Sequence, residues 1–175
     1  MTCIVALVDK ENNVSYIGGE RGASDDSMIW KMANPKIWRD KGYLFGFVGI
    51  FAIEKIKHNF DPPPPPAFAD GATLDAFMNT TFIDALSSLY EEMHILKHED
   101  GGLIIVVNNH IFVHNAEDMS MTMVDNKYLS DGSGSGYAMG SLFTSESWEN
   151  QSDRVSAALH AAIEFSPSCL SLIHI

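Results

Sequence analysis

Basic residues are scarce in this chain: 11 Lys and Arg stand against 23 Asp and Glu, a formal net charge of −12. A surface that tracks nucleic-acid phosphates or anionic headgroups needs the opposite balance, so neither nucleic acid nor membrane is expected as a partner. Cysteine is nearly missing. Cys3 and Cys169 lie at opposite ends of the chain, with no Cys-x-x-Cys pair and no zinc-finger spacing. Two such cysteines make no disulfide framework, and a reducing cytoplasm is the expected location. No basic segment followed by an apolar run opens the chain, and no apolar stretch has the roughly 20 residues that span a bilayer, so no export is expected. Small molecules, peptides and protein partners remain.

What is present is a chain that can bury a core: 46% of its 175 residues are hydrophobic, and one domain over 1–175 is expected. Residues 2–8 read as a buried strand flush with the terminus, DKENN as a hairpin turn, and Val14 to Ile17 as the returning strand, stopped by Gly18-Gly19. Lys36-Ile37-Trp38 and YLFGFVGIF, parted by a turn at 40–42, form a second strand-like pair. AIEKIKHN reads as a helix, ended by a run of five prolines in a surface loop over 61–71 that neither helix nor sheet can continue through. From 73 to 98, apolar residues at Leu74, Phe77, Phe82, Leu86, Leu89 and Met93 predict the longest helix. LIIVVNNHIFVHN divides at Asn108-Asn109 into two strands, a further edge lies in MTMV, YAMGSLFTSE and SDRVSAALHAAIEF read as helices, and SCLSLIHI as a last strand. The order implies an α+β fold: two antiparallel sheets with helices segregated outside them.

The glycine-rich turn GSGSG, 132–136, leads into a helix, where amides can hold an anion, but it is neither a P-loop nor G-x-G-x-x-G, and taken alone a plain tight turn is the preferred reading. Its meaning changes when it is taken together with TCIVA at the start, GGERGAS from Gly18, the lysine of PKIW, and the FGFVG strand end. In this order and spacing the five segments, spread from Thr2 to about Cys169, resemble the proteasome β-type peptidases. These belong to the N-terminal nucleophile hydrolases, and they include a bacterial two-ring peptidase driven by an ATPase and made without a propeptide.

The resemblance implies a four-layer αββα sandwich and assigns roles residue by residue. Thr2 matches the N-terminal threonine: once Met1 is removed, its hydroxyl is the nucleophile and its own α-amine the general base, a role suited to an amine of ordinary pKa near 7.7 to 8.0 and closed to an in-chain amide. Lys36 matches the active-site lysine, and Glu20 the acid that pairs with it, where most relatives carry Asp. Gly46 corresponds to the glycine whose N–H stabilises the tetrahedral oxyanion, a contribution of roughly 2.7 to 4 kcal/mol per donor. Ser133 matches the serine that bonds the nucleophile's amine. Ala23 and Ser24 match the pair that binds substrate backbone, and Leu44, near Trp38, the floor of an apolar pocket for the side chain before the cut.

Each residue also has a plainer reading: Lys36 and Glu20 as an exposed ion pair, Gly46 as a packing glycine, Ala23-Ser24 as a turn. Two departures stand out. Cys3 occupies a position usually held by a small residue, and Phe165-Ser166 replace an Asp that many relatives place at the end of the last long helix, while Ser168 keeps a nearby serine. Cys3 raises a rival nucleophile, but the strand period turns its side chain away from that of Thr2, and a packing cysteine is the simpler reading. His94 and His98 have helical spacing beside Glu91, Glu92 and Glu99 without forming H-E-x-x-H, so a solvated helix end is preferred over a metal site. The resemblance further implies a homo-oligomeric ring, an ATP-dependent unfoldase, polypeptide substrates, and no metal or organic cofactor. A catalytically inactive assembly subunit that retains Met1 is the alternative. Such subunits carry an N-terminal extension, and the lack of one here favours the enzyme. A small-molecule amidase is a third reading.

Overall fold

The first strand is apolar from Ile4 to Val8 because both of its faces are covered. In a computed structural model that describes residues 2–24, 28–49, 54–67, 70–95, 101–170 and 172–174, with side chains at 24 and 172–174 left aside, this is β1 (Ile4–Asp9). Alternate residues point to opposite faces. Cys3, Val5 and Leu7 pack on helices through Ala138, Leu142, Val155 and Leu159, whereas Ile4, Ala6 and Val8 pack on a second sheet through Ile37, Ile104, Val106 and Ile111.

The first sheet has the order β10-β1-β2-β11, with β2 (Val14–Glu20), β10 (Tyr128–Asp131) and β11 (Leu172–His174). The second runs β5-β6-β7-β8-β9, with β5 (Ile37–Asp40), β6 (Tyr43–Gly49), β7 (Gly101–Val107), β8 (His110–Asn115) and β9 (Ser120–Val124). All pairings are antiparallel. On β6, Tyr43, Phe45 and Phe47 face the helices through Leu74, Met78, Phe82 and Leu86, while Leu44 and Val48 face the first sheet. Three apolar layers between helix, sheet, sheet and helix make a four-layer αββα sandwich, in which each fully buried Leu, Ile or Phe contributes roughly 1.5 to 3 kcal/mol.

The helices on the second sheet are α1 (Glu54–Asn59) and a long one in three parts: α2 (Gly71–Phe77), a π-turn (Met78–Phe82) and α3 (Ile83–Glu92). Asp70 caps it, accepting from Thr73 N at 2.8 Å. The buried residues Leu74, Met78, Phe82, Leu86 and Tyr90 recur every four positions. In an α-helix that spacing drifts by about 40° per step, and the wider π-turn takes part of it back. On the first sheet lie α4 (Ser135–Thr144) and α5 (Gln151–Phe165), the latter capped by Asn150. Among the described residues no helix is long and apolar enough to cross a membrane.

Three local expectations are corrected. The returning strand does not stop at Gly18-Gly19; it continues to Glu20, because the bare Cα of Gly19 makes room for Ile4, whose Cδ1 lies 2.8 Å from where a Cβ would stand. A small ribbon, β3 (Gly22–Ser24) with β4 (Ile29–Lys31), follows, so that Ala23 and Ser24 lie on a strand and not in the turn of their plainer reading. The long helix ends at Glu92, and His94 lies beyond it with φ of 52°, so no helix presents a His94 and His98 pair; His98 and Glu99 lie outside the described residues. The proline run is tied down: Tyr43 Oη donates to Pro63 O at 2.8 Å, Asn108 Nδ2 to Pro66 O at 3.2 Å, and Lys41 pairs with Asp61.

Candidate active site

Strand geometry brings together residues that are far apart in sequence. Thr2 lies two residues before the start of β1, Glu20 ends the neighbouring β2, and Lys36 lies directly before β5 in the other sheet. Lys36 O accepts from Phe47 N at 3.0 Å, which places the lysine at the end of the β5–β6 ladder. Arg21 ties down the approach to it, donating through Nε to Met32 O at 3.0 Å and through Nη2 to Ala33 O at 2.5 Å.

Lys36 Nζ donates to Thr2 Oγ1 at 3.0 Å and pairs with Glu20 Oε1. Glu20 Oε2 accepts from the backbone N–H of Gly22 and of Leu170, the latter at 3.1 Å. Thr2, Glu20 and Lys36 are 1%, 0% and 3% exposed, so this is a buried ion pair with hydrogen bonds on both carboxylate oxygens, not a surface one.

A second set of contacts holds the backbone of Thr2. Thr2 N donates to Ser133 Oγ at 3.1 Å, Ser133 Oγ donates to Thr2 O at 3.3 Å, and Gly134 N donates to the same carbonyl at 3.1 Å. The glycines of the turn are needed for this approach: Gly132 has φ of +97°, and a Cβ on it would lie 2.3 Å from Thr2 O. One on Gly134 would lie 2.7 Å from Cys169 Sγ. Beyond Ser133 the contacts continue, Ser168 Oγ donating to Ser133 Oγ at 2.9 Å and Ser166 Oγ lying 2.8 Å from Ser168 Oγ.

No family model matches the chain, and none of the curated proteins compared is similar to it. Solved structures are. The chain superposes on Thiobacillus denitrificans BPH, alone and in complex with epoxomicin, with a TM-score of 0.75 at 20% identity, covering 98% of this chain and 96% of that one. Eukaryotic HslV from Trypanosoma brucei aligns with a TM-score of 0.67 at 12% identity, over 98% and 97% of the two chains. The fold is proteasome β-type and HslV-like.

Within this HslV-like fold, two expected residues fall elsewhere. Leu44 pairs with Arg39, three residues along β5 from Lys36 and so about 10 Å away along the strand. It lines a cleft with Asn13, Val14 and Asn109 at the opposite end of the sandwich, and is no floor to a pocket at Thr2. Gly46 lies mid-strand between Ile37 and Ile104. Phe47 N–H points to β5, so by the alternation along a strand Gly46 N–H points to β7, away from Lys36. A Cβ on Gly46 would lie 2.5 Å from Ile4 Cγ2, which gives this glycine a packing role. The N–H of Gly49, by contrast, shares the β5 edge with that of Phe47, past the last β5 residue, where the strand ends with φ of 96°.

Ala23 is buried in the helix-side core and Ser24 pairs with Ile29, its side chain outside the described residues. Trp38 stacks on Phe45 at 4.9 Å and belongs to the same core. Cys3 is fully buried and burial pushes its thiol up to about 12, so it holds its proton and is a poor nucleophile. Among the described residues no group of three His, Cys, Asp or Glu could hold a metal. Leu170 carried no sequence signal, and Ser166 only that of standing where many relatives place an Asp.

Proposed function

We propose that this chain is a threonine-type endopeptidase subunit of a self-compartmentalising, homo-oligomeric ring. The observation that carries this reading is the clasp on Thr2: Lys36 Nζ at 3.0 Å from its hydroxyl and Ser133 Oγ at 3.1 Å from its nitrogen. After loss of Met1 that nitrogen is a primary amine. In its neutral form it takes the Thr2 hydroxyl proton while Oγ1 attacks the scissile carbonyl carbon, and the Lys36 ammonium stabilises the charge developing on Oγ1. The amine's proton then passes to the leaving nitrogen as the C–N bond breaks, leaving an ester on Thr2. Water attacks the ester, giving a proton to the amine, and Oγ1 leaves as the restored hydroxyl.

Gly49 rather than Gly46 is the oxyanion donor in this reading, since its N–H faces the lysine edge. The ribbon residues Ala23 and Ser24 offer backbone groups to an extended substrate. A cleft of about 450 Å³ is lined by Trp30, Lys31, Met32, Ala33, Asn34 and Glu54, on the segment that leads from the ribbon to Lys36. A cytoplasmic ring with an ATP-driven unfoldase fits the acidic, cysteine-poor chain.

Intact mass before and after incubation with a peptide epoxyketone tests the proposal, because the cyclic adduct needs both a free amine and the threonine hydroxyl. Loss of methionine and gain of one inhibitor is expected. A mass that retains Met1 and gains nothing would replace the peptidase with the inactive assembly subunit.

A further inference from the structure

The space between the two sheets opens at the end of the molecule that carries Thr2. There it widens into a cleft of about 340 Å³, lined by Val48, Gly49, Gly102 and Val113 of the second sheet, by Glu117 after β8, and by Asp131 of the first sheet. Strand register fixes which way these side chains look. Asp131 stands opposite Ile4 across β10 and β1, and directly opposed residues share a face, so its carboxylate is turned with Ile4 toward the second sheet. Val48 looks back at the first sheet, and Val113, two residues on from Ile111, shares that face. Glu117 is exposed at the rim. The cleft therefore has apolar walls within and two carboxylates at its mouth, and among the described residues that line it there is neither Lys nor Arg.

The reaction assigns this cleft to one side of the cut. Lys36 holds Thr2 Oγ1, whereas Ser133 holds Thr2 N. In the peptidase reading the amine hands its proton to the leaving nitrogen. The residue after the cut then lies on the Ser133 side of the nucleophile, and the residues before it lie toward Lys36 and the ribbon. Asp131 is two residues from Ser133, and its Oδ1 accepts from Gly132 N at 2.6 Å at the start of the same turn. Gly49, the oxyanion donor of that reading, borders the cleft from the second sheet. A substrate whose carbonyl oxygen sits at Gly49 directs its next side chain into this opening. One with an apolar stem and a cationic head matches it: the stem packs on Val48 and Val113, and the head meets Asp131 and Glu117.

We propose that this cleft receives the residue that follows the scissile bond, and that Asp131 and Glu117 select lysine or arginine there. The inference rests on the peptidase reading and names the substrates it prefers, chains cut just before a basic residue. A glutamate at that place meets two like charges and is rejected. A leucine uses the apolar walls and leaves both carboxylates to water.

The test uses Met1-free protein and a set of peptides that share one sequence before the scissile bond and carry Lys, Leu or Glu after it, with cleavage followed by mass spectrometry. Ratios of kcat/KM within one variant are the readout, since they cancel a general loss of activity. Wild type is expected to favour lysine over leucine about tenfold, and over glutamate by more. Glu117→Gln and Asp131→Asn are each expected to lower the lysine-to-leucine ratio about threefold. Combining Asp131→Asn with Glu117→Lys is expected to put glutamate ahead of lysine, an inversion that a merely structural role would not produce. Glu117 is exposed, so Glu117→Gln and Glu117→Lys decide the matter even if Asp131→Asn fails to fold. A wild-type ratio near one, or ratios unmoved by Glu117→Lys, would overturn the proposal alone, as would protein that takes the epoxyketone yet cuts no peptide. Protein that takes no epoxyketone and cuts no peptide would overturn the peptidase reading, and this inference with it.

Discussion

Among the described residues, two places that bury titratable side chains are solved in opposite ways. At the end of the strands, Lys36 and Glu20 are charged, paired and supplied with further hydrogen bonds. Under the helices of the second sheet, His114 is 1% exposed, and among the described residues neither its ring nitrogens nor the buried hydroxyl of the neighbouring Tyr90 has a hydrogen-bond partner. Their rings meet edge-on with centroids 5.8 Å apart. Charge is kept at the paired strand end and given up under the helices. Burial lowers His114 to about 4, and Asp118 opposes this only weakly, so the ring is neutral.

Breaking the paired side has the largest expected effect. Lys36→Met strands the Glu20 carboxylate in an interior where it is 0% exposed, at a cost of about 3 to 5 kcal/mol in stability and at least about a hundredfold in peptide hydrolysis. Adding Glu20→Gln removes the stranded charge, and its amide oxygen can still accept from Gly22 and Leu170. Most of the stability is expected back in urea unfolding and none of the activity. A double variant as unstable as the single one would show that the pair matters through shape and not through charge.

The unpaired side is broken by acid. His114 ordinarily titrates at 6.5 and here at about 4, so the folded state favours the neutral ring and the unfolded chain binds more protons between these values. This contribution to stability is complete above about pH 6.5, falls as the pH drops, and levels off below 4, a change of roughly 3 kcal/mol in all. His114→Leu is expected to remove that part of the slope while leaving stability at pH 7 equal or higher, because two unsatisfied nitrogens go with it. Urea unfolding at pH 7.5 and 4.5 measures both effects, and a variant with the wild-type slope would move the acid sensitivity to another group.

The contrast also explains what could be read in advance. Alternation and apolar runs made β1, β6, β7 and β8 legible, because strands buried on both faces carry little polar sequence. The clustering of Thr2, Glu20, Lys36 and Ser133 came from segment resemblance, since no local pattern links a strand start, a strand end and a glycine turn. What went unread depends on register or on single contacts. The ribbon Gly22–Ser24 with Ile29–Lys31 has three residues a side, too few for a period to show. Ser166 was noted as standing where many relatives carry an Asp, but its contact with Ser168 could not be read. Leu44 was misplaced for a third reason: its position was counted from Gly46, and two glycines on one strand offer two origins for the count.

Those two glycines give the smallest effect and the finest test. Gly46 and Gly49 differ by an odd number of residues, so their N–H groups leave β6 on opposite edges. In Gly46→Ala the new methyl would press on Ile4 and Ile17, whose nearest atoms lie 2.5 and 3.1 Å from the Cβ position. Overpacking of that kind costs about 1 to 3 kcal/mol, and kcat of the folded enzyme is expected to hold because no reacting group moves. Gly49 has φ of 96°, which an alanine adopts only under strain, so Gly49→Ala rotates the peptide that carries the N–H. Its kcat is expected to fall by about tenfold or more with KM little changed, the signature of an interaction made in the transition state. If Gly46→Ala instead lost kcat while Gly49→Ala kept it, the oxyanion donor would lie on the β7 edge, and the catalytic face of β6 would have to be turned around.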